Sequence, residues 1–289
     1  MTNELLSQAV GPIIAIFLVA AMFSLGLDLT LRQIVGSLRD RALVTRSLLV
    51  NLLAVPLLAL AVTALIPMDE ALRTGIVVYA IAAGTEGGPK FVQMIKGNSA
   101  FAFGLLALLL IFTVTLVPLI IPLVIPNAEI HTGALVIKLL LVVALPICSG
   151  LFINGRFPRL AARLSPFAHH LSMFLLYGLF FLLIYVNFGE IATLQGSALL
   201  AGLLFFALAF TTGYLAAGPD RHNRRALGIM TFARNGSFAM LIAREVFIDQ
   251  PQVLVMATIM TVASVVIVVV IVNVFRRLDL SGITQTEQS

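Results

Sequence analysis

Two short runs hold most of the side chains that could do chemistry. Residues 84–91 read GTEGGPKF and gather Thr85, Glu86, Gly87, Gly88 and Lys90; residues 232–237 read FARNGS and gather Arg234, Asn235, Gly236 and Ser237. Each run interrupts an otherwise apolar segment. A charge at the centre of a membrane helix costs about 2.5–3.5 kcal/mol even on the mildest insertion scale, so Glu86, Lys90 and Arg234 need each other, water or a ligand. Backbone this irregular is tolerated at depth only where it lines a hydrated cavity enclosed by protein. Two broken segments in corresponding positions of two halves point to a transporter binding site.

The chemistry such breaks supply is anion recognition. Each should leave a half-helix starting near Pro89 and near Gly236 or Ser237, and proline suits a first turn because its missing N–H would have no partner there. A helix start exposes unpaired N–H groups and roughly half a positive charge. If the breaks cross, two starts converge with Lys90 and Arg234 on a small anion. Thr85, Asn235 and Ser237 and the amides around Gly87, Gly88 and Gly236 are the candidate direct ligands, and Glu86 offsets part of the charge. A competing reading makes Glu86 and Arg234 a fixed ion pair that clamps the crossing and touches no substrate.

The elements that must hold these runs follow from composition. Of 289 residues, 60% are hydrophobic and 11% charged, with a mean hydropathy of +1.09, against about 25% charged residues in an ordinary soluble domain. The chain reads as one integral, multi-pass membrane unit over residues 1–289, with the lipid bilayer as its surroundings. Nine apolar spans reach the length that a hydrocarbon core of about 30 Å requires. They cover about 10–28, 43–66, 72–96, 99–125, 133–153, 167–187, 194–217, 226–247 and 252–275, and the third and eighth contain the breaks. Arg32, Arg39, Arg41, Arg46, Lys96, Arg156, Arg159, Arg163, Arg221, Arg224, Arg225, Arg276 and Arg277 fall on one side of this arrangement, and Asp69, Glu70, Arg73, Glu129, Glu190 and Asp249 on the other. The basic side is expected to be cytoplasmic, placing the N-terminus outside and the C-terminus inside. The net charge of +5 therefore serves topology, and nucleic acid is not expected as a partner.

Other features have plainer readings. Pro56, Pro118, Pro122 and Pro146 are expected to kink their helices, and His169 and His170 to sit at an interfacial helix end. The single Cys148 excludes an intramolecular disulfide and a cysteine-only metal site; it is expected as a small buried hydrophobe. No HExxH, transmembrane aspartate pair or Ser/His pairing supports an enzyme. The tail after Arg277 is too short for the output module of a sensor, which stays the more distant alternative to transport.

The order of LVAAMFSLGLDLT, VNLLAVPLLA, GGPKFVQMIKGN, LPICSG and RNGSFAMLIA resembles the landmarks of the bile acid:sodium symporter family along almost the whole chain. The resemblance implies an all-α polytopic fold with two crossing discontinuous helices, inverted repeats and alternating access. Its core is expected at about 72–125 and 194–275 and its panel at about 10–66 and 133–187, with the first helix of ten-helix members missing. It also implies a bacterial inner membrane as the location and organic anions, bile acids among them, as substrates. The family's sodium ligands transfer poorly. Asn51 keeps an amide, and Asn51 with Thr231 are the candidate sodium ligands. The family's glutamate falls on Met230, its glutamine on Arg234, a Ser-Asn pair on Gly88 and Pro89, and hydroxyl ligands on Ala102 and Leu106. Sodium needs oxygen ligands, so a sodium-independent carrier, with Arg234 in place of the ion, stands beside the usual sodium symporter. A proton on Glu86 is a further candidate for coupling. No other cofactor is expected.

Overall fold

The computed structural model describes residues 2–30, 36, 40–124, 132–186, 188–192 and 194–286. The expected loop charges Arg32, Arg39 and Glu129 lie outside them. Among the described residues every regular element is helical: α1 (Thr2–Asp28), α2 (Arg41–Leu49), α3 (Val55–Leu65), α4 (Glu70–Ile81), α5 (Gly88–Met94), α6 (Ser99–Val124), α7 (Thr132–Leu139), α8 (Leu145–Arg156), α9 (Pro158–Val186), α10 (Phe188–Ala192), α11 (Gly196–Ala216), α12 (Arg221–Phe232), α13 (Gly236–Val246) and α14 (Pro251–Thr286). The chain is a polytopic all-α membrane protein.

Among the described residues, eight helical stretches are long and apolar enough to cross a membrane. The ninth expected passage is α4 plus α5. With 12 and 7 residues, neither half spans a bilayer alone, because about 20 residues are needed at 1.5 Å per residue. The run Arg221–Val246 crosses as α12 and α13 and is buried from Arg225 to Ala243. The late valine run instead divides its faces, exposing Val265, Val266, Val269 and Val270 while burying Val268 and Val272.

Pro56 and Pro146 do more than kink. Each follows a π turn, Val50–Ala54 between α2 and α3 and Leu140–Ala144 between α7 and α8. A proline has no N–H to give and its ring crowds the carbonyl four residues back. The helix answers by widening one turn, so that Val55 N–H reaches back to Val50 O and Leu145 N–H to Leu140 O.

Packing separates two groups of helices. α1 lies against α8 and α9, while α4 packs on α14, α11 on α12, α13 on α14, and α5 on α6 and α12. The second span, expected in the panel, packs through α3 on α4 and α11; on its contacts it belongs with the core helices. Links that cross between the groups include α1 on α13, α9 on α14 and α6 on α7, and Lys138 of α7 pairs with Glu245 of α13 at 2.6 Å. Within the core group Arg225 forks onto Asp279 at 2.6 and 2.9 Å and donates to Ile95 O at 2.7 Å, tying the far end of α14 to α12 and the end of α5. Cys148 is exposed, not buried as expected, and lines an apolar cleft of about 260 Å3 between α6 and α8.

A close helix contact is α1 on α8, where Gly26 and Gly150 face each other's backbone. A Cβ on Gly150 would sit 2.6 Å from Phe23 O, and one on Gly26 would meet Ile147 O. Backbones approach this closely in membranes only through small residues. Gly150→Leu should therefore cost about 1–3 kcal/mol by overpacking and lower the melting temperature of the detergent-purified protein, followed by circular dichroism, whereas Gly155→Ala, in open space, should leave it unchanged.

Candidate functional site

The two breaks meet. Between α4 and α5 the chain runs through Ala82–Gly87 without regular structure, and Gly84 takes a φ of +88°, a conformation open to glycine at little cost. Between α12 and α13 it is extended at Ala233 and Asn235. Asn235 joins the two segments: its N–H donates to Ala82 O at 2.7 Å and its Nδ2 to Gly84 O at 3.0 Å. Its Oδ1 caps α13 by accepting Phe238 N–H at 3.0 Å and also accepts Ser237 Oγ–H at 2.8 Å.

Broken helix ends normally leave orphan carbonyls, so the fate of each one in the first break is informative. Ala80 O accepts from Arg234, Ile81 O from Ala83 N–H, Ala82 O from Asn235 N–H, Ala83 O from Thr113 Oγ–H at 3.1 Å, Gly84 O from Asn235 Nδ2, and Thr85 O from Gly88 N–H. Every carbonyl from 80 to 85 thus has a hydrogen-bond donor.

Arg234 is 2% exposed, the largest of the fully buried side chains. Its Nε donates to Ala80 O at 2.9 Å, and Nη2 also reaches that oxygen; Nη1 donates to Asn51 Oδ1 at 2.7 Å and Nη2 to Asn51 O at 2.8 Å. The π turn explains the last contact. Val55 N–H, the usual donor to Asn51 O, is diverted to Val50 O, and the next residue along is Pro56, which has no N–H. The freed carbonyl accepts the guanidinium instead. Asn51 Nδ2 donates to Ser47 O at 2.9 Å and Thr231 Oγ1 at 3.3 Å, which fixes its oxygen toward Arg234.

This corrects two expectations. Arg234 does not pair with Glu86, and its charge is spent on carbonyl oxygens away from any described cavity. The candidate sodium ligands Asn51 and Thr231 are adjacent, but the residues present do not fit a sodium ion, because a guanidinium already holds Asn51 Oδ1, Asn51 O and Ala80 O.

The remaining predicted residues divide between wall and scaffold. Glu86, Gly87 and Lys90 line a cavity of about 210 Å3 with Ser24, Asp28, Phe103, His169 and Ser172. This cavity lies between the two helix groups, with α1 and α9 on one side and α5 and α6 on the other. Gly88 and Gly236 serve close packing: a Cβ on Gly88 would lie 2.6 Å from Met230 Sδ, and one on Gly236 would collide with Thr261. Half-buried Thr85 contributes its carbonyl to the turn. α5, at seven residues, is too short to carry much of a dipole, and the start of α13 is capped by Asn235 and is not among the residues that line the cavity. Asp28, Ser24, His169 and Ser172 were missed as wall residues. They lie far from either break in sequence and arrive by packing, and only the pairing of polar residues with apolar helix ends hinted at them.

A sequence model of the family described as Sodium Bile acid symporter family matches residues 15–194. The matched part runs from α1 to the residues before α11 and stops short of the second break. No curated protein matches the chain.

The Arg234 contacts make a stability prediction. Asn51→Leu removes Oδ1 and leaves the buried guanidinium short of one of its acceptors, which should cost about 1–3 kcal/mol, seen as a lower melting temperature. Arg234→Met alone should also destabilise. Because both act on one network, the double variant should recover about 0.5–3 kcal/mol relative to the sum of the singles; additive effects in the cycle would show that the two residues do not depend on each other.

Proposed function

The chain belongs to the sodium bile acid symporter family, and from that premise we propose that it is a secondary transporter that carries a small organic anion without sodium. The carrying observation is the place of Arg234. Its fixed positive charge sits among amide and carbonyl oxygens that would suit a hard cation, so the protein supplies from its own chain the charge that a coupled ion would bring. A guanidinium on the backbone cannot dissociate with the cargo, and this separates the chain from a sodium-driven cycle.

The cargo is read from the cavity. At about 210 Å3 it is smaller than the roughly 300–1,000 Å3 of drug-sized ligand sites, which favours a compact carboxylate over a sterol-sized one. Lys90 is its exposed cation, Ser24 and Ser172 offer hydroxyls, and the start of α13 lies behind the break. The cavity lies along the seam between the two helix groups, so a rocking of one group on the other would open it to alternate sides.

The test is thermal-shift stabilisation of the purified protein by lactate, succinate, benzoate and cholate, each in sodium chloride and in choline chloride. At least one of the smaller carboxylates should stabilise, by about 2.7 kcal/mol at one hundred times its Kd, and equally in both salts. Stabilisation that requires sodium would overturn the sodium-independent reading. Lys90→Gln should remove the anion's effect while leaving the ligand-free stability within about 0.5 kcal/mol of wild type, as for other exposed substitutions.

A further inference from the structure

One atom of the crossing is left over from its hydrogen-bond network. Glu86 Oε2 is buried and has no hydrogen-bond partner among the described residues. The cation nearest in role, Arg234, is committed to Asn51 and Ala80. The other carboxylate oxygen, Oε1, lies 3.5 Å from Ser237 Oγ, and the direction of that contact is settled by its neighbours. Asn235 Nδ2 donates to Gly84 O, so Asn235 Oδ1 is the oxygen that faces Phe238 N–H and Ser237. An amide oxygen only accepts. Ser237 must therefore give its one proton to Asn235 Oδ1, at 2.8 Å, and it presents a lone pair to Glu86. Two oxygens face each other without a proton between them unless Glu86 provides it.

We propose that Glu86 is a proton-binding site and that the proton it takes up travels with the anion. The inference rests on the carrier reading above and names its coupling ion. With the proton on Oε1 the chain of donors is complete: Glu86 O–H to Ser237 Oγ, Ser237 O–H to Asn235 Oδ1, with Phe238 N–H on the same acceptor. Without it, a carboxylate held by its own backbone N–H, with Oε2 unpartnered, is buried beside a hydroxyl that cannot donate to it, an expensive arrangement unless water or a cation enters. The cavity supplies that entry, since Glu86 forms part of its wall. The groups facing Glu86 from the packed elements are Lys90 on α5, Asp28 on α1 and His169 on α9. Arg234 behind it is turned to Asn51 and Ala80. The proton is taken from water on the side to which the cavity is open and returned to water on the other, so the step is a transfer with no redox change. For a monovalent anion the loaded cycle then carries no net charge.

Infrared pH titration of the full-length protein in liposomes tests the site with the proton itself as the probe. Wild type should gain a protonated-carboxyl band as the pH falls from alkaline to mildly acidic. Glu86→Gln should lack that band, Asp28→Asn should keep it, and Ser237→Ala should shift it by removing the acceptor. Should Glu86→Gln fail to fold, the Ser237→Ala shift decides. A wild-type titration that superimposes on Glu86→Gln, or a band indifferent to Ser237→Ala, overturns the assignment. Coupling is read separately: in weak buffer with a pH dye, a carboxylate that stabilises the protein should evoke proton uptake by wild type and not by Glu86→Gln. A stabilising anion that evokes none overturns the coupling and leaves the carrier reading standing. A titrating Glu86 band with no stabilising anion in the panel counts against the carrier reading instead.

Discussion

A guanidinium held by three oxygens, none of them from a carboxylate, is the constraint on which the centre of this molecule depends. Burying an ion is costly unless its donors are met by excellent geometry, and Arg234 meets its own with Ala80 O, Asn51 O and Asn51 Oδ1. Two of these are backbone carbonyls that regular helices would have used up. Ala80 O is free because α4 ends one residue later. Asn51 O is free because a π turn and Pro56 between them remove both possible donors. A proline in α3 thus determines where a charge from the break before α13 can rest, a dependence of the kind that often places π turns at functional positions.

Around that ion the two breaks are closed against solvent by Asn235. One side chain and its own amide satisfy Ala82 O, Gly84 O and the first turn of α13. Replacing it would release several buried groups together, each costing on the order of 1–3 kcal/mol when left unmet. The crossing is therefore rigid where the backbone is irregular, and its irregularity is fully compensated by specific partners, as membrane depth demands. The cavity lies on its flank, where Lys90 and Glu86 face α1 and α9.

Much of this was legible in the sequence. The breaks announced themselves as glycines, a proline and charges within apolar spans, and both half-helix starts fall where Pro89 and Gly236 placed them. The spans were readable because length and hydropathy alone select them. What the sequence hid was direction. Nothing in FARNGS says that Arg234 turns toward Asn51 and away from Glu86; that follows from a carbonyl freed 183 residues earlier. The grouping of α3 with α4 and α11 was equally hidden, because an apolar span does not show which neighbour it will choose. Asp28 and His169 read as interfacial ends on their own helices and become cavity wall only when α1 and α9 are laid against α5.

The positions of the two charges also constrain how the crossing can move. A coupled ion enters and leaves, so the charge of an ion-driven core differs between loaded and empty states. Arg234 never leaves. If the core group shifts relative to α1, α8 and α9, it takes a permanent positive charge through a medium where isolated charge is expensive. Glu86, at the same crossing, is the group able to alter that balance: ionised, it offsets Arg234, and protonated, it leaves the positive charge to be offset by an anion beside Lys90. On this account, the two forms suited to moving are the empty core with Glu86 ionised and the loaded core with Glu86 protonated. The mismatched forms, an anion with an ionised Glu86 or an empty core with a protonated one, carry an unbalanced charge and are held back. On the proposed carrier reading, coupling would follow from the charge balance of this one buried crossing.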